Sequence, residues 1–226
     1  MKNKRITIVC GHYGSGKTTF SINYALYLRN QTNRYIYIAD LDVVNPYFRS
    51  REHFDFLKDK NIKVIGSYLP QSGADLPAVS AEVYTLFENK DIIGIVDMGG
   101  NSVGSLSFAT FRDNVDIEET DIIFILNANR EENSTLEFAL GHFNSIESTL
   151  GLKITGIVNN THLMNDTTIE DINKGELISS ELSKEKNIPV KFTCINMDFF
   201  DNNPNIKTKY DLFLIGYDIK TVTNII

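Results

Sequence analysis

The chain has 226 residues, 22 basic against 29 acidic side chains, a net charge of −7 and 42% hydrophobic residues. That size and balance suit one globular domain over residues 1–226 and exclude bulk disorder. The acidic excess, with no basic stripe, argues against a phosphate-backbone binder, and Cys10 and Cys194, with no C-x-x-C, argue against a disulfide framework or a cysteine-held metal.

No nucleic-acid partner is therefore expected, and a reducing, cytoplasmic setting is. Met1–Arg5 is basic, but the apolar run behind it is too short for a signal segment. No stretch approaches the roughly 18 apolar residues of a membrane-spanning helix, and no basic amphipathic tail follows Cys194, so no membrane partner is expected.

In chain order, Ile6–Cys10 reads as a first strand. Gly11-His12-Tyr13-Gly14-Ser15-Gly16-Lys17-Thr18 follows it and matches G-x-x-x-x-G-K-[ST] in full. Glycines at 11, 14 and 16 let main-chain N–H groups turn inward around phosphate. A helix predicted over Lys17–Asn30 adds the positive end of its dipole. Lys17 reaches β- and γ-phosphate oxygens, and the Thr18 hydroxyl suits Mg²⁺.

A second strand, Tyr35–Ala39, runs into Asp40-Leu41-Asp42. Two carboxylates two residues apart share one side of an extended chain and are suited to metal-bound and attacking water. Asn45–Arg51, with Arg49 and Arg51, comes next; then a strand over Ile62–Ile65, a long polar connection over Gly66–Leu76 and a helix over Pro77–Asn89. The strand Ile92–Val96 ends in Asp97-Met98-Gly99-Gly100. That is the Walker B pattern, with Asp97 toward Mg²⁺ and Thr18, and Gly100 completes D-x-x-G, whose bare amide can approach a γ-phosphate.

A helix over Ser105–Asn114 precedes the strand Ile122–Leu126 and the segment Asn127–Glu131. A helix over Asn133–Leu150 is closed by Gly151. Then come a strand over Ile154–Val158, the asparagines Asn159 and Asn160, a helix over Thr168–Asn187 and a strand over Val190–Cys194. In the tail, 201–226, Asp201–Pro204 is a turn signal, and Tyr210–Tyr217 reads as either an edge strand or a short helix, the strand being preferred. His53, His142 and His162 stand without partner motifs and read as surface or packing residues. The alternation predicts a three-layer, doubly wound, mainly parallel sheet of about seven strands with helices on both faces.

Gly11–Thr19, Ile38–Asp42, Ile93–Gly100 and Gly156–Asn160, each at a strand's carboxyl end, together resemble the SIMIBI class of P-loop NTPases, in particular its MinD/ParA/CobQ-like branch. The resemblance covers most of the chain, from Ile6 to about Cys194. It implies ATP and Mg²⁺ as ligands, with residues 11–19 and Gly100 around the nucleotide, and Thr18, Asp97 and Asp40 toward the metal. Lys17, Asp42 and Asp40 are the catalytic set it implies. Asn159, with Asn160 as second choice, is implied to read the base, and Asn127–Glu131 is similar to the family's loop after its fifth strand. Residues 45–51 would be a nucleotide-sensing switch, and a protein partner and a nucleotide-dependent homodimer are implied. His12 stands where the family carries its signature cross-dimer lysine.

Guanine-specific relatives use N-K-x-D, whose carboxylate accepts from the guanine ring. Three residues beyond Asn159 and Asn160 stand His162 and Leu163, so adenine is the expected base. The function expected is a slow Mg²⁺-dependent ATPase acting as a nucleotide-state switch. Two alternatives stay open: a small-molecule kinase or ATP-dependent ligase-like enzyme, and an ATP-gated binding module without hydrolysis.

Overall fold

Side chains of the Ile- and Val-rich runs alternate between two helical layers, as strands covered on both faces must. In β1 (Ile6–Gly11), Ile6, Ile8 and Cys10 face one layer and Val9 the other; in β5 (Thr120–Leu126), Ile122, Phe124 and Leu126 face the first, and Ile123 and Ile125 the second. The computed structural model describes residues 4–42, 51–66, 81–100, 108 and 110–216, leaving aside the side chains of 51–54 and 81.

The remaining strands are β2 (Tyr35–Asp40), β3 (Ile62–Gly66), β4 (Ile92–Asp97), β6 (Gly156–Asn159), β7 (Val190–Asn196) and β8 (Leu212–Ile215). They form one sheet in the order β3-β2-β4-β1-β5-β6-β7-β8, parallel at every pairing. The chain crosses from one side of β1 to the other between β4 and β5, which puts the topological switch point at the carboxyl end of β1.

The helices are α1 (Lys17–Arg29), α2 (Arg51–Asp59), α3 (Tyr84–Glu88), α4 (Leu136–Leu150), α5 (Ile169–Lys186) and α6 (Met197–Asn202). Phe20, Ala25 and Leu26 of α1 and Leu57 of α2 pack on one face of the sheet. Leu86 of α3, Phe143 and Leu150 of α4 and Ile178 and Leu182 of α5 pack on the other. The doubly wound, three-layer architecture expected from the sequence is therefore present.

Several details differ from expectation. Among the described residues the sheet has eight strands, since 212–215 joins β7 in parallel as an edge. Residues 133–135 stay outside α4 because Glu131–Asn133 form a short 3-10 turn and the Thr135 hydroxyl caps the helix by accepting from Phe138 N–H. The short helix α6 follows β7 directly, capped by the Asn196 side chain. Of the helix expected at 77–89, α3 and a 3-10 turn over Ala81–Val83 are seen, and of that at 105–114, a 3-10 turn over Arg112–Asn114. Residues 77–80 and 105–107, most of 45–51 and 66–76, and the tail from 217 lie outside the described residues.

One long-range pair ties the phosphate-loop helix to the sheet edge. Asn23 of α1 donates through Nδ2 to Gly216 O (3.0 Å) and accepts from Gly216 N–H at Oδ1 (2.9 Å), fully buried. Among the described residues no helix is long and apolar enough to cross a membrane.

Candidate functional site

The carboxyl ends of β1, β2, β4, β5 and β6 converge on the loop between β1 and α1. Gly16 is the N-cap of α1 at φ +85°, no side chain caps the helix, and its first turn carries no acidic residue. An uncapped helix end presents N–H groups and a partial positive charge, which suits an anion. A Cβ on Gly16 would lie 2.3 Å from Asn160 Nδ2. Gly16→Ala therefore combines left-handed backbone strain with displacement of Asn160, and should cost about 2 kcal/mol or more. Thermal melts against wild type check this; an unchanged midpoint would contradict it.

Lys17 lies within the fold, 5% exposed, and donates from Nζ to His12 O (3.0 Å). Burial lowers its pKa, while the charges of Asp97 and then Asp42 oppose that shift. Asp97, at the end of β4, is fully buried, and among the described residues neither carboxylate oxygen has a hydrogen-bond partner of good geometry. Burial pushes its carboxyl up to about 6; the Thr18 hydroxyl and Lys17 pull it part of the way back. The nearby Ser21 hydroxyl, likewise buried and without a partner of good geometry among the described residues, also pulls the Asp97 carboxyl down.

Asp40 stands beside Asp97 in the register of β2 and β4, and its Oδ1 accepts from Asp42 N–H (3.0 Å). Asp42 is half-buried, and its charge reaches both Lys17 and Asp97. A Cβ on Gly100 would meet Tyr13 N at 2.7 Å and Lys17 Nζ at 2.8 Å, so the D-x-x-G segment lies directly against the phosphate loop. Lys17, Asp97, Asp42 and Gly100 thus share one site, with Thr18 beside Asp97.

Two orphaned carboxylate oxygens beside a threonine hydroxyl form a hard-oxygen donor set, which fits Mg²⁺. Among the described residues no group of three His, Cys, Asp or Glu could hold a metal unaided. The set suits a cation that shares its shell with phosphate oxygens and water. Thr19, in the first turn of α1, accepts at its carbonyl from Asn23 Nδ2 (2.7 Å).

Asn159, the last residue of β6, and Asn160 are 1% exposed and engaged by the protein. Asn160 Nδ2 donates to Ser15 O (2.8 Å) and so grips the phosphate loop. Asn159 Oδ1 accepts from the Thr161 hydroxyl (2.7 Å), and its Nδ2 donates to Ile172 O (3.3 Å). In this arrangement both polar atoms of the Asn159 amide and the Asn160 Nδ2 are engaged within the protein.

Several contacts of the phosphate loop are not set by its motif. His12 Nδ1 faces Tyr13 O (2.9 Å), its Nε2 faces Glu132 (3.3 Å), and its ring meets His142 edge-on at 5.1 Å. Burial brings His142 down to about 4, helped by His12. His162 also falls to about 4, through burial and then Arg130. A Cβ on Gly16 would lie 3.4 Å from His162 Nε2, so neither histidine is remote from the site. Arg130 Nε donates to Gly14 O (3.0 Å). The available signal was position: Asn127–Glu132 leave β5, the strand beside β1, at its carboxyl end. Tyr13, by contrast, is 61% exposed.

No protein-family model matches the chain, and no curated protein does. Solved structures do. Cell division protein FtsY from Thermotoga maritima is 20% identical, with a TM-score of 0.58 over 84% of this chain and 61% of that one. The signal recognition particle 54 kDa protein from Aeropyrum pernix, in complex with GDP, is 14% identical, with a TM-score of 0.55 over 85% and 41%. FlhF complexed with GTP and Mg²⁺ is 14% identical, with a TM-score of 0.50 over 83% and 64%. The chain thus spans less than two thirds of these proteins. Likeness at such identity establishes the fold, that of a P-loop NTPase.

Proposed function

We propose that the chain is a Mg²⁺-dependent nucleoside triphosphatase that acts as a nucleotide-state switch for a protein partner. The observation that carries this is the buried Lys17 and the orphaned Asp97 side by side at an uncapped helix N-terminus. A fold has no use for an unpartnered buried carboxylate, whereas a cation bridging to phosphate satisfies it.

In this reading Lys17 and the loop amides hold the β- and γ-phosphates. Thr18 and Asp97 hold Mg²⁺, which neutralises phosphate charge when bound. Asp42 orients the attacking water, and Asp40 supports it by holding the Asp42 backbone. Gly100 lets its own amide meet the γ-phosphate, which makes the segment after β4 the sensor of triphosphate against diphosphate. Slow turnover suits such a switch.

Two readings of the base each have support. No carboxylate follows Asn159 or Asn160 at N-K-x-D spacing, which favours ATP. Two structural neighbours hold GDP or GTP, which favours a guanine nucleotide. Competition of ATP and GTP for one fluorescent nucleotide, with and without Mg²⁺, separates them; phosphate release with the same nucleotides tests hydrolysis. At least one triphosphate is expected to bind with Mg²⁺ dependence. Binding of neither would overturn the reading, and phosphate transferred to a small molecule instead of water would replace it with a kinase. The MinD/ParA-like branch and a nucleotide-dependent dimer belong to this proposal too, with light scattering across nucleotide states as their test.

A further inference from the structure

The phosphate loop is gripped on its outer side at several points. Asn160 holds Ser15 O from the loop after β6; from the loop after β5, Glu132 faces His12 Nε2 and Arg130 Nε holds Gly14 O. We propose that Arg130 is a positioning residue that sets the phosphate loop, and Lys17 with it, for a polyphosphate. This rests on the nucleotide reading above.

Within a trans peptide the C=O and N–H point in opposite directions. The Gly14 carbonyl shares its peptide with the Ser15 N–H. Arg130 draws that carbonyl outward, which turns the Ser15 N–H inward across the loop, where it donates to His12 O at 3.1 Å. The same His12 carbonyl accepts from Lys17 Nζ at 3.0 Å. One guanidinium therefore fixes one peptide, that peptide fixes the His12 carbonyl, and the carbonyl anchors the ammonium group meant for the phosphates.

Arg130 is itself held in register. Its N–H donates to Asn127 O (3.0 Å), and the neighbouring Asn129 is tied through Nδ2 to Asp171 Oδ1 (2.9 Å) in the first turn of α5. Close packing of the guanidinium also needs a bare position 14, where a Cβ would lie 2.9 Å from Arg130 Nε. Lysine in place of Arg130 keeps the charge but loses the planar, pre-organised donor.

The test uses the full chain as wild type, Arg130→Lys and Arg130→Ala. Each is titrated with the Mg²⁺-triphosphate that the wild type binds, and with inorganic tripolyphosphate as competitor. Loss of one charge-assisted hydrogen bond should weaken Arg130→Ala about tenfold for both ligands, with Arg130→Lys in between. The melting midpoint without ligand should move by no more than about 2 °C, since the side chain is exposed. Equal affinities in wild type and Arg130→Ala overturn the positioning role alone. Weakening confined to the nucleotide, with tripolyphosphate unaffected, also overturns it by placing Arg130 on the nucleoside. A wild-type chain that binds no nucleotide overturns the functional reading, and this inference with it.

Discussion

Lys17→Ala should abolish triphosphate binding at ordinary concentrations, a loss of at least about a hundredfold, because charged hydrogen bonds to phosphate oxygens are the strong ones and this side chain makes more than one. The loss should be selective. Lys17 is the cation whose charge opposes the raised pKa of Asp97, so its removal should drive that carboxyl above its present value of about 6. A neutral Asp97 costs the empty fold little, and the variant should still unfold cooperatively. Calorimetric titration with nucleotide and Mg²⁺, alongside a thermal melt, checks both halves. Wild-type affinity in a folded Lys17→Ala protein would remove the basis of the site.

Asp97→Asn should have opposite effects on function and on stability. Its pKa in the folded protein is about 6, against 3.8 for an ordinary aspartate. The folded state therefore binds this proton more tightly than the unfolded state does. The sign follows: stability is highest with the acid protonated, falls as pH rises from about 4 through about 6, and stays lower above that. Asparagine has nearly the same shape and never ionises. At pH 8 without ligand, Asp97→Asn should be more stable than wild type by roughly 2–3 kcal/mol, the gap shrinking as the pH is lowered toward 4. Phosphate release and the Mg²⁺ dependence of binding should both disappear. Denaturant titrations at pH 5 and pH 8 decide the matter; a variant less stable than wild type at pH 8 would mean that Asp97 holds the fold together instead.

The sequence made some of this architecture plain and hid the rest for physical reasons. Strands β1, β4 and β5 are apolar at nearly every position because both faces are covered, and such runs announce themselves. Lys17, Asp97 and Asp42 were legible because local rules tie them to strand ends. Helix α1 is buried nearly all round, so its boundaries came from the glycine loop and not from an amphipathic stripe. Arg130, Glu132, His142 and His162 were not legible as neighbours of residues 11–18. More than a hundred positions separate them from it, and only the placement of β5 beside β1, and of β6 beside β5, brings them together. The asparagines show the opposite case. Their place after β6 was readable, but the hydrogen bonds that occupy Asn159 and Asn160 depend on Thr161, Ile172 and Ser15 in three dimensions.

The reciprocal Asn23–Gly216 pair has a mechanical consequence. A helix that begins at the nucleotide cradle is bolted, side chain to main chain, onto the far rim of the sheet. Any tilt of that helix on ligand exchange is transmitted as a pull on the last strand. A reporter dye attached beside Gly216 would then register events at a cradle it never touches.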